Sequence, residues 1–250
     1  MKILVTGSSG FVGRHLVKYL KNRHHRVIPF EVDLLNATAV ETALAPLNPD
    51  GVIHLAAIAV VGDSLISPAK ILRNNIFAQL NLLEALKRKN STAGILVIGS
   101  ADEYGKSSDQ PIDESFPLLP TNLYAVSKVA QDFLGLQYHL AYGLKIIRVR
   151  PFNHIGEGQS PGFVVPDFAK QIVAVELSGK PGTISVGNLN TVRDFTDVSD
   201  MVVAYELALI KGQPGEVYNL GSGIGITIKH LLDKLTSLSS AKITVKIDPS

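Results

Sequence analysis

Tyr124-Ala125-Val126-Ser127-Lys128 sets a phenol and an ammonium four residues apart, so on a helix both fall on one face. A cation beside a phenol favours phenolate, lowers the phenol pKa and lets it exchange a proton with an oxygen near neutral pH. Of the 7 tyrosines, only Tyr124 has a lysine four residues on. Ser100 ends the apolar run Ile95-Leu96-Val97-Ile98-Gly99, and a hydroxyl at the carboxyl end of a strand can bond a carbonyl and share a proton with Tyr124. Plainer readings stand beside these: an exposed Tyr–Lys pair on a helix, and a serine that opens a turn. A third group binds anions. Gly7-Ser8-Ser9-Gly10-Phe11-Val12-Gly13 follows the run Lys2-Ile3-Leu4-Val5-Thr6. Gly7 suits a tight turn, Gly10 lets a pyrophosphate reach the main chain, and Gly13 lets the next helix pack close on the strand. The spacing G-x-x-G-x-x-G differs from the commoner G-x-G-x-x-G. Its place between a strand and an amphipathic helix (Val12, Leu16, Val17, Leu20) is what points to a dinucleotide site.

These residues need elements to hold them. Apolar runs predict strands at 2–6, 26–30, 51–55, 94–99 and 144–150, separated by helices at 11–22, 37–45, 69–89 and 122–142. That alternation is the pattern of a doubly wound parallel sheet with helices on both faces, an α/β fold of Rossmann type. Beyond Pro151 a glycine- and proline-rich stretch (Gly156, Gly158, Pro161, Gly162, Pro166) leads to a helix over 167–177. A strand at 183–186, a helix at 199–210, a strand at 216–220, a helix at 228–238 and a strand at 242–247 complete the pattern. The expected division is a dinucleotide-binding domain of 1–150 with about 189–223, and a smaller interleaved lobe of about 151–188 with 224–250.

With 250 residues, 46% apolar and 18% charged, the chain is long enough for a full core and is globular. A net charge of +2 gives no reason to expect nucleic acid or an anionic membrane. Zero cysteines exclude disulfides and thiolate metal sites and fit the cytoplasm. The 7 histidines show no metal-ligand spacing, and neither a membrane span nor a signal peptide is expected.

Taken together, these pieces resemble the extended short-chain dehydrogenase/reductases (the NAD-dependent epimerase/dehydratase family) that act on nucleotide sugars. Further motifs carry the resemblance: His54-Leu55-Ala56-Ala57, Asn75-Ile76-Phe77 before Leu82-Leu83-Glu84-Ala85, Ser100 through Tyr104-Gly105, Arg150-Pro151-Phe152-Asn153-His154, and Arg193-Asp194-Phe195-Thr196-Asp197-Val198. It implies Ser100, Tyr124 and Lys128 as a catalytic triad, with Lys128 also on the nicotinamide ribose. It implies NAD or NADP as cofactor, held by Gly7, Gly10, Phe11, Val12, Gly13, Glu31, Asp33, Leu34, Leu55, Ala56, Ala57, Asn75 and Pro151 together with Tyr124 and Lys128. Asp102, Asn153 and Arg193 fall to the substrate, Asn153 and Arg193 at its diphosphate, where a guanidinium offers two parallel donors. The bland rivals are a turn cap for Asn153 and a surface ion pair of Arg193 with Asp194.

Residues 150–159, then Phe163-Val164 and Phe168 through Ile172, are most similar to the branch that reduces GDP-4-keto-6-deoxy-D-mannose to GDP-D-rhamnose. The alternatives are a 4,6-dehydratase or 4-epimerase and, more remotely, a non-catalytic dinucleotide-binding regulator. Dehydratases of the family carry Glu two residues before the tyrosine matching Tyr104; this chain has Asp102. Glu31, after the second strand, suits a ribose 2′-hydroxyl and so NAD, whereas Arg14 offers a contact for a 2′-phosphate. The family implies a homodimer through the two long helices, and relatives continue some tens of residues past Ile247, so a truncated chain or a more open pocket is expected.

Overall fold

Alternate residues of the first strands face opposite ways, and the sequence supplies apolar side chains to both faces. Ile3, Val5, Ile53, Leu96, Ile147 and Val149 pack on one side with Leu16, Leu20, Val202 and Tyr205. Leu4, Val52, Ile95, Val97 and Ile146 pack on the other with Val40, Leu82, Leu83 and Leu86. A strand buried on both faces belongs to the middle of a parallel sheet covered by helices, and the structure shows one. The computed structural model describes residues 1–59, 67–106 and 111–248.

Six parallel strands form the central sheet: β1 (Lys2–Thr6), β2 (Arg26–Phe30), β3 (Gly51–His54), β4 (Gly94–Ile98), β5 (Lys145–Pro151) and β9 (Val217–Leu220), in the order β2-β1-β3-β4-β5-β9. Helices α1 (Phe11–Asn22) and α6 (Val198–Lys211) cover one face. Helices α2 (Ala37–Leu44), α3 (Pro68–Arg88) and α4 (Leu123–Tyr142) cover the other. The order reverses between β1 and β3, which opens a ligand crevice at the carboxyl ends of those strands. Gly7, Ala56, Ser100 and Pro151 all lie along that edge.

The remaining chain builds on the same edge. Strand β6 (Asn153–Ile155) pairs parallel with β8 (Val192–Asp197), which pairs antiparallel with β10 (Gly225–Thr227). Strand β7 (Gly182–Val186) pairs parallel with β11 (Ile243–Ile247). Helices α5 (Val164–Ser178) and α7 (Ile228–Ser237) close a separate core of Phe168, Ile172, Val175, Ile184, Val186, Ile228 and Leu232. The three strands the sequence reading left out, β6, β8 and β10, are two three-residue segments and the largely polar Val192-Arg193-Asp194-Phe195-Thr196-Asp197. None offers an apolar alternation, and pairing between distant segments alone makes them strands. Among the described residues no helix is long and apolar enough to cross a membrane.

Candidate active site

The glycine turn is fixed by backbone that no side chain could join. Gly7 sits at φ +66°, and a Cβ there would stand 2.9 Å from the Ala56 nitrogen. Its carbonyl accepts the Gly10 N–H at 3.1 Å. A Cβ on Gly13 would lie 2.1 Å from the Gly7 carbonyl oxygen, so helix α1 rests directly on the turn. No side chain caps α1, whose cap residue is Gly10; its first N–H groups and the positive end of its dipole point out of the turn. This is the arrangement that binds a pyrophosphate.

Beside it lies a cavity of about 290 Å³ lined by Gly7, Ser9, Glu31, Asp33, Leu34 and Ala56 among others. That volume suits one nucleoside half of a dinucleotide. The Ser8 hydroxyl donates to Glu31 Oε1 at 3.1 Å and so holds the carboxylate at the cavity wall. Asp33 accepts the Leu35 N–H at 3.0 Å, which shapes the loop after β2. Thr6 Oγ1 accepts the Ala56 N–H at 3.2 Å and lies 2.9 Å from His54 Nδ1, tying the ends of β1 and β3 together. Phe11, Val12, Leu55 and Ala57 are half-buried around the turn, and Pro151 is buried at the end of β5. Asn75 is wholly buried: its amide accepts the Ile58 N–H at 2.8 Å and donates to the Ile58 carbonyl at 3.1 Å and to Ser127 Oγ at 2.9 Å. With both ends engaged, Asn75 shapes the wall of the site by holding the chain after β3 against α4.

Ser100, Tyr124 and Lys128 converge at the carboxyl end of β4. Ser100 caps the short 3₁₀ helix Ala101–Tyr104, and its Oγ accepts the Asp102 N–H at 3.2 Å. Asn122 caps α4 by accepting the Ala125 N–H at 2.8 Å, which sets Tyr124 in the first turn. Lys128 lies one turn on, its Nζ 5.8 Å from the Tyr124 ring centre and donating to the Ile98 carbonyl at 2.8 Å. The tyrosine pKa runs against the sequence expectation. Burial and then the Asp102 carboxylate raise it above the ordinary tyrosine value, and the opposing pull of Ser100 is smaller. The Lys128 ammonium gives one of its three N–H donors to a backbone carbonyl, and its own pKa is brought down by burial to about 8. The protein's own groups therefore keep Tyr124 protonated, as a donor.

Asp102 is half-buried, its carboxyl raised by burial while Arg193 pulls it down. Arg193 is exposed on β8 and does not pair with Asp194. Asp194 instead accepts the N–H groups of Ser222 and Gly223 at 3.0 and 2.8 Å, pinning the loop after β9. Asn153 opens β6 opposite Phe195 in β8, the strand that carries Arg193. Arg14 lies in the first turn of α1. Its guanidinium donates to Ser9 O at 2.9 Å and Gly158 O at 3.1 Å, joining the glycine turn to the loop after β6. His15 at 2.8 Å from Glu157 O, and Phe11 stacked on His154, reinforce that clamp. Among the described residues no group of metal-ligating side chains is present.

Residues 3–221 match the NAD dependent epimerase/dehydratase family. The chain belongs to this family. It is an NAD(P)-dependent enzyme, and its glycine turn, open α1 terminus and adjacent cavity fit such a dinucleotide. The sequence is 38% identical to GDP-6-deoxy-D-mannose reductase of Pseudomonas aeruginosa, an alignment spanning 100% of this chain and 84% of that protein. Among solved structures it is similar to RMD from Pseudomonas aeruginosa complexed with NADPH, with TM-score 0.91, 37% identity and coverage of 100% of this chain and 86% of that one. It is also similar to the Thermus thermophilus UDP-glucose 4-epimerase complexed with NAD, with TM-score 0.87, 29% identity and coverage of 100% of this chain and 87% of that one.

Proposed function

We propose that this chain reduces the 4-keto group of a nucleotide-linked 6-deoxyhexose, converting GDP-4-keto-6-deoxy-D-mannose to GDP-D-rhamnose with NAD(P)H. The observation that carries the reading is its similarity, along its whole length, to GDP-6-deoxy-D-mannose reductase. The convergence of Ser100, Tyr124 and Lys128 on one crevice supports it. A nicotinamide bound in this crevice would supply the hydride. Tyr124, held protonated, gives its phenol proton to the oxygen that becomes the new hydroxyl. Ser100 donates a hydrogen bond to the same oxygen and polarises the carbonyl. Lys128 keeps a positive charge beneath them and holds the nicotinamide ribose, while Asn153 and Arg193 take the substrate diphosphate. Mixing the protein with the ketosugar nucleotide and NADH or NADPH tests this: loss of nicotinamide absorbance is expected, and none with folded protein rejects it.

Cofactor choice follows from Glu31. A carboxylate held by Ser8 at the cavity wall accepts a ribose 2′-hydroxyl and repels a 2′-phosphate. NADH is therefore expected to be preferred, and Glu31→Ala should move the NADH-to-NADPH ratio of kcat/KM toward NADPH by about tenfold. An unchanged ratio would remove Glu31 from the ribose.

One observation favours the second reading, a 4,6-dehydratase or epimerase. Asp102 acts on the Tyr124 pKa and has a raised carboxyl, as an extra acid/base would need. Its side chain is one methylene shorter than the usual Glu. Asp102→Asn is expected to leave ketosugar reduction within about threefold, since a reductase draws only one proton. Loss of all turnover on GDP-mannose in that variant, with reduction absent from the wild type, would establish the dehydratase.

The functional unit proposed is a cytoplasmic homodimer. Phe77 on α3 and Phe133 and Leu140 on α4 are exposed apolar side chains on the two long helices, which supports pairing through them. Residues 1–150 with about 189–223 are assigned to the dinucleotide, and about 151–188 with 224–250 to the sugar nucleotide.

A further inference from the structure

Glu103 has no part in the chemistry above, yet it is wholly buried directly behind it. Its Oε1 accepts the Ser100 N–H at 2.7 Å, so Ser100 and Glu103 cap the 3₁₀ helix reciprocally. A Cβ on Gly99 would stand 2.3 Å from that oxygen, so a glycine before Ser100 makes room for the carboxyl. Capping needs one acceptor, which a glutamine also offers. The second oxygen is harder to account for. Oε2 lies 3.3 Å from Arg150 Nε but makes no hydrogen bond, because Nε donates to Asp132 Oδ2 at 2.8 Å. Another Arg150 nitrogen donates to the Tyr104 hydroxyl at 2.9 Å, and Asp132 is paired with Arg148 as well. A buried carboxyl with an unpartnered oxygen is costly, and it survives here among the charges of α4 and β5.

Resting on the roles assigned above to Ser100, Tyr124 and Lys128, we propose that Glu103 is a positioning residue that holds Ser100 by its backbone N–H and serves as the counter-charge of Lys128. The groups that face it are Asp132, Lys128 and Tyr124 from α4, Arg150 from β5 and the Ser100 backbone. Burial and Asp132 push the Glu103 carboxyl up to about 8, while burial brings Lys128 down to about 8 and Glu103 opposes that fall. Glu103 on the Ser100 N–H and Lys128 on the Ile98 carbonyl flank Gly99, and each favours the charged form of the other, so they titrate as a pair. As pH rises, the charge Glu103 acquires keeps the ammonium of Lys128 and raises the Tyr124 phenol, so both protons persist together.

Glu103→Gln keeps the acceptor and the volume and removes the charge. The alkaline limb of turnover is expected to move down by about half a pH unit or more, with dinucleotide KM within about twofold. In lysine-labelled protein the Lys128 side-chain NMR resonance should show the same downward move of its midpoint, a readout that needs no turnover. Unmoved midpoint and limb would overturn the proposal. Carbon resonances in the wild type give a check independent of any variant. Glu103 and Lys128 should titrate within about one pH unit of each other; a Glu103 titrating as an ordinary carboxyl overturns the pairing. If the wild type reduces no ketosugar, the proposed function fails while both titrations still decide the role of Glu103.

Discussion

Replacing Tyr124 with Phe should lower kcat by about 10²–10⁴-fold while dinucleotide affinity stays within a few-fold. The substitution deletes one oxygen. The ring, its place in the first turn of α4 and the neighbouring Lys128 Nζ at 5.8 Å remain, and the Asn122 cap that orients that turn is untouched. What disappears is the proton donor that burial and Asp102 keep protonated. The same argument fixes the sign of the pH dependence in the reductive direction. Tyr124 stays protonated beyond the range in which Lys128, at about 8, loses its charge. Activity should therefore hold through neutral pH and fall as pH passes the Lys128 midpoint. Rapid-mixing turnover paired with a calorimetric dinucleotide titration separates the cases. Unchanged turnover would take Tyr124 out of the mechanism. An equal loss of turnover and dinucleotide affinity would assign the tyrosine to the architecture of the site instead.

The sequence was legible where local and global requirements agree. Strands β1 and β2 and helix α1 fall where the apolar runs and the glycine turn place them, because each is short-range pattern reinforced by burial. The meeting of Ser100 with Tyr124 and Lys128 was legible too, since a strand end and the first turn of a following helix must both lie on the carboxyl edge of a parallel sheet. The sign of the Tyr124 shift was not. Spacing shows the cation one turn away but not the burial of the phenol, nor the Asp102 charge nearby. Arg14 reads from sequence as a contact for a 2′-phosphate, and only the fold brings Gly158 to it across 144 positions of chain. Glu103 was invisible for the same reason: as one acid in Ala101-Asp102-Glu103-Tyr104 it resembles a solvated turn residue. Its burial follows from β5 and α4 carrying Arg150 and Asp132 behind it.

Gly13→Ala should weaken dinucleotide binding by about 10–100-fold and lower stability by about 1–3 kcal/mol. A single methyl is enough because of where it must go. The new Cβ would stand 2.1 Å from the Gly7 carbonyl oxygen, 2.7 Å from the Ser8 oxygen and 2.8 Å from the Ser8 carbonyl carbon. All three are backbone atoms of the glycine turn and cannot swing aside as a side chain does. Relief requires α1 to slide away from the turn by more than an ångström. Its unclaimed N–H groups then no longer point where a pyrophosphate sits. The slide also loosens Leu16 and Leu20 from the core they share with α6, which is why stability falls with affinity. Gly187 is the control: nothing lies within 4 Å of a Cβ there, so Gly187→Ala should leave both quantities unchanged. Gly10→Ala should fall between, because its Cβ would meet only the Gly7 carbonyl oxygen, at 3.2 Å. Dinucleotide titration and thermal unfolding of the three variants read the series. A Gly13→Ala protein that binds like the wild type would show that α1 can give way without cost, and that contact between helix and turn does not set the dinucleotide site.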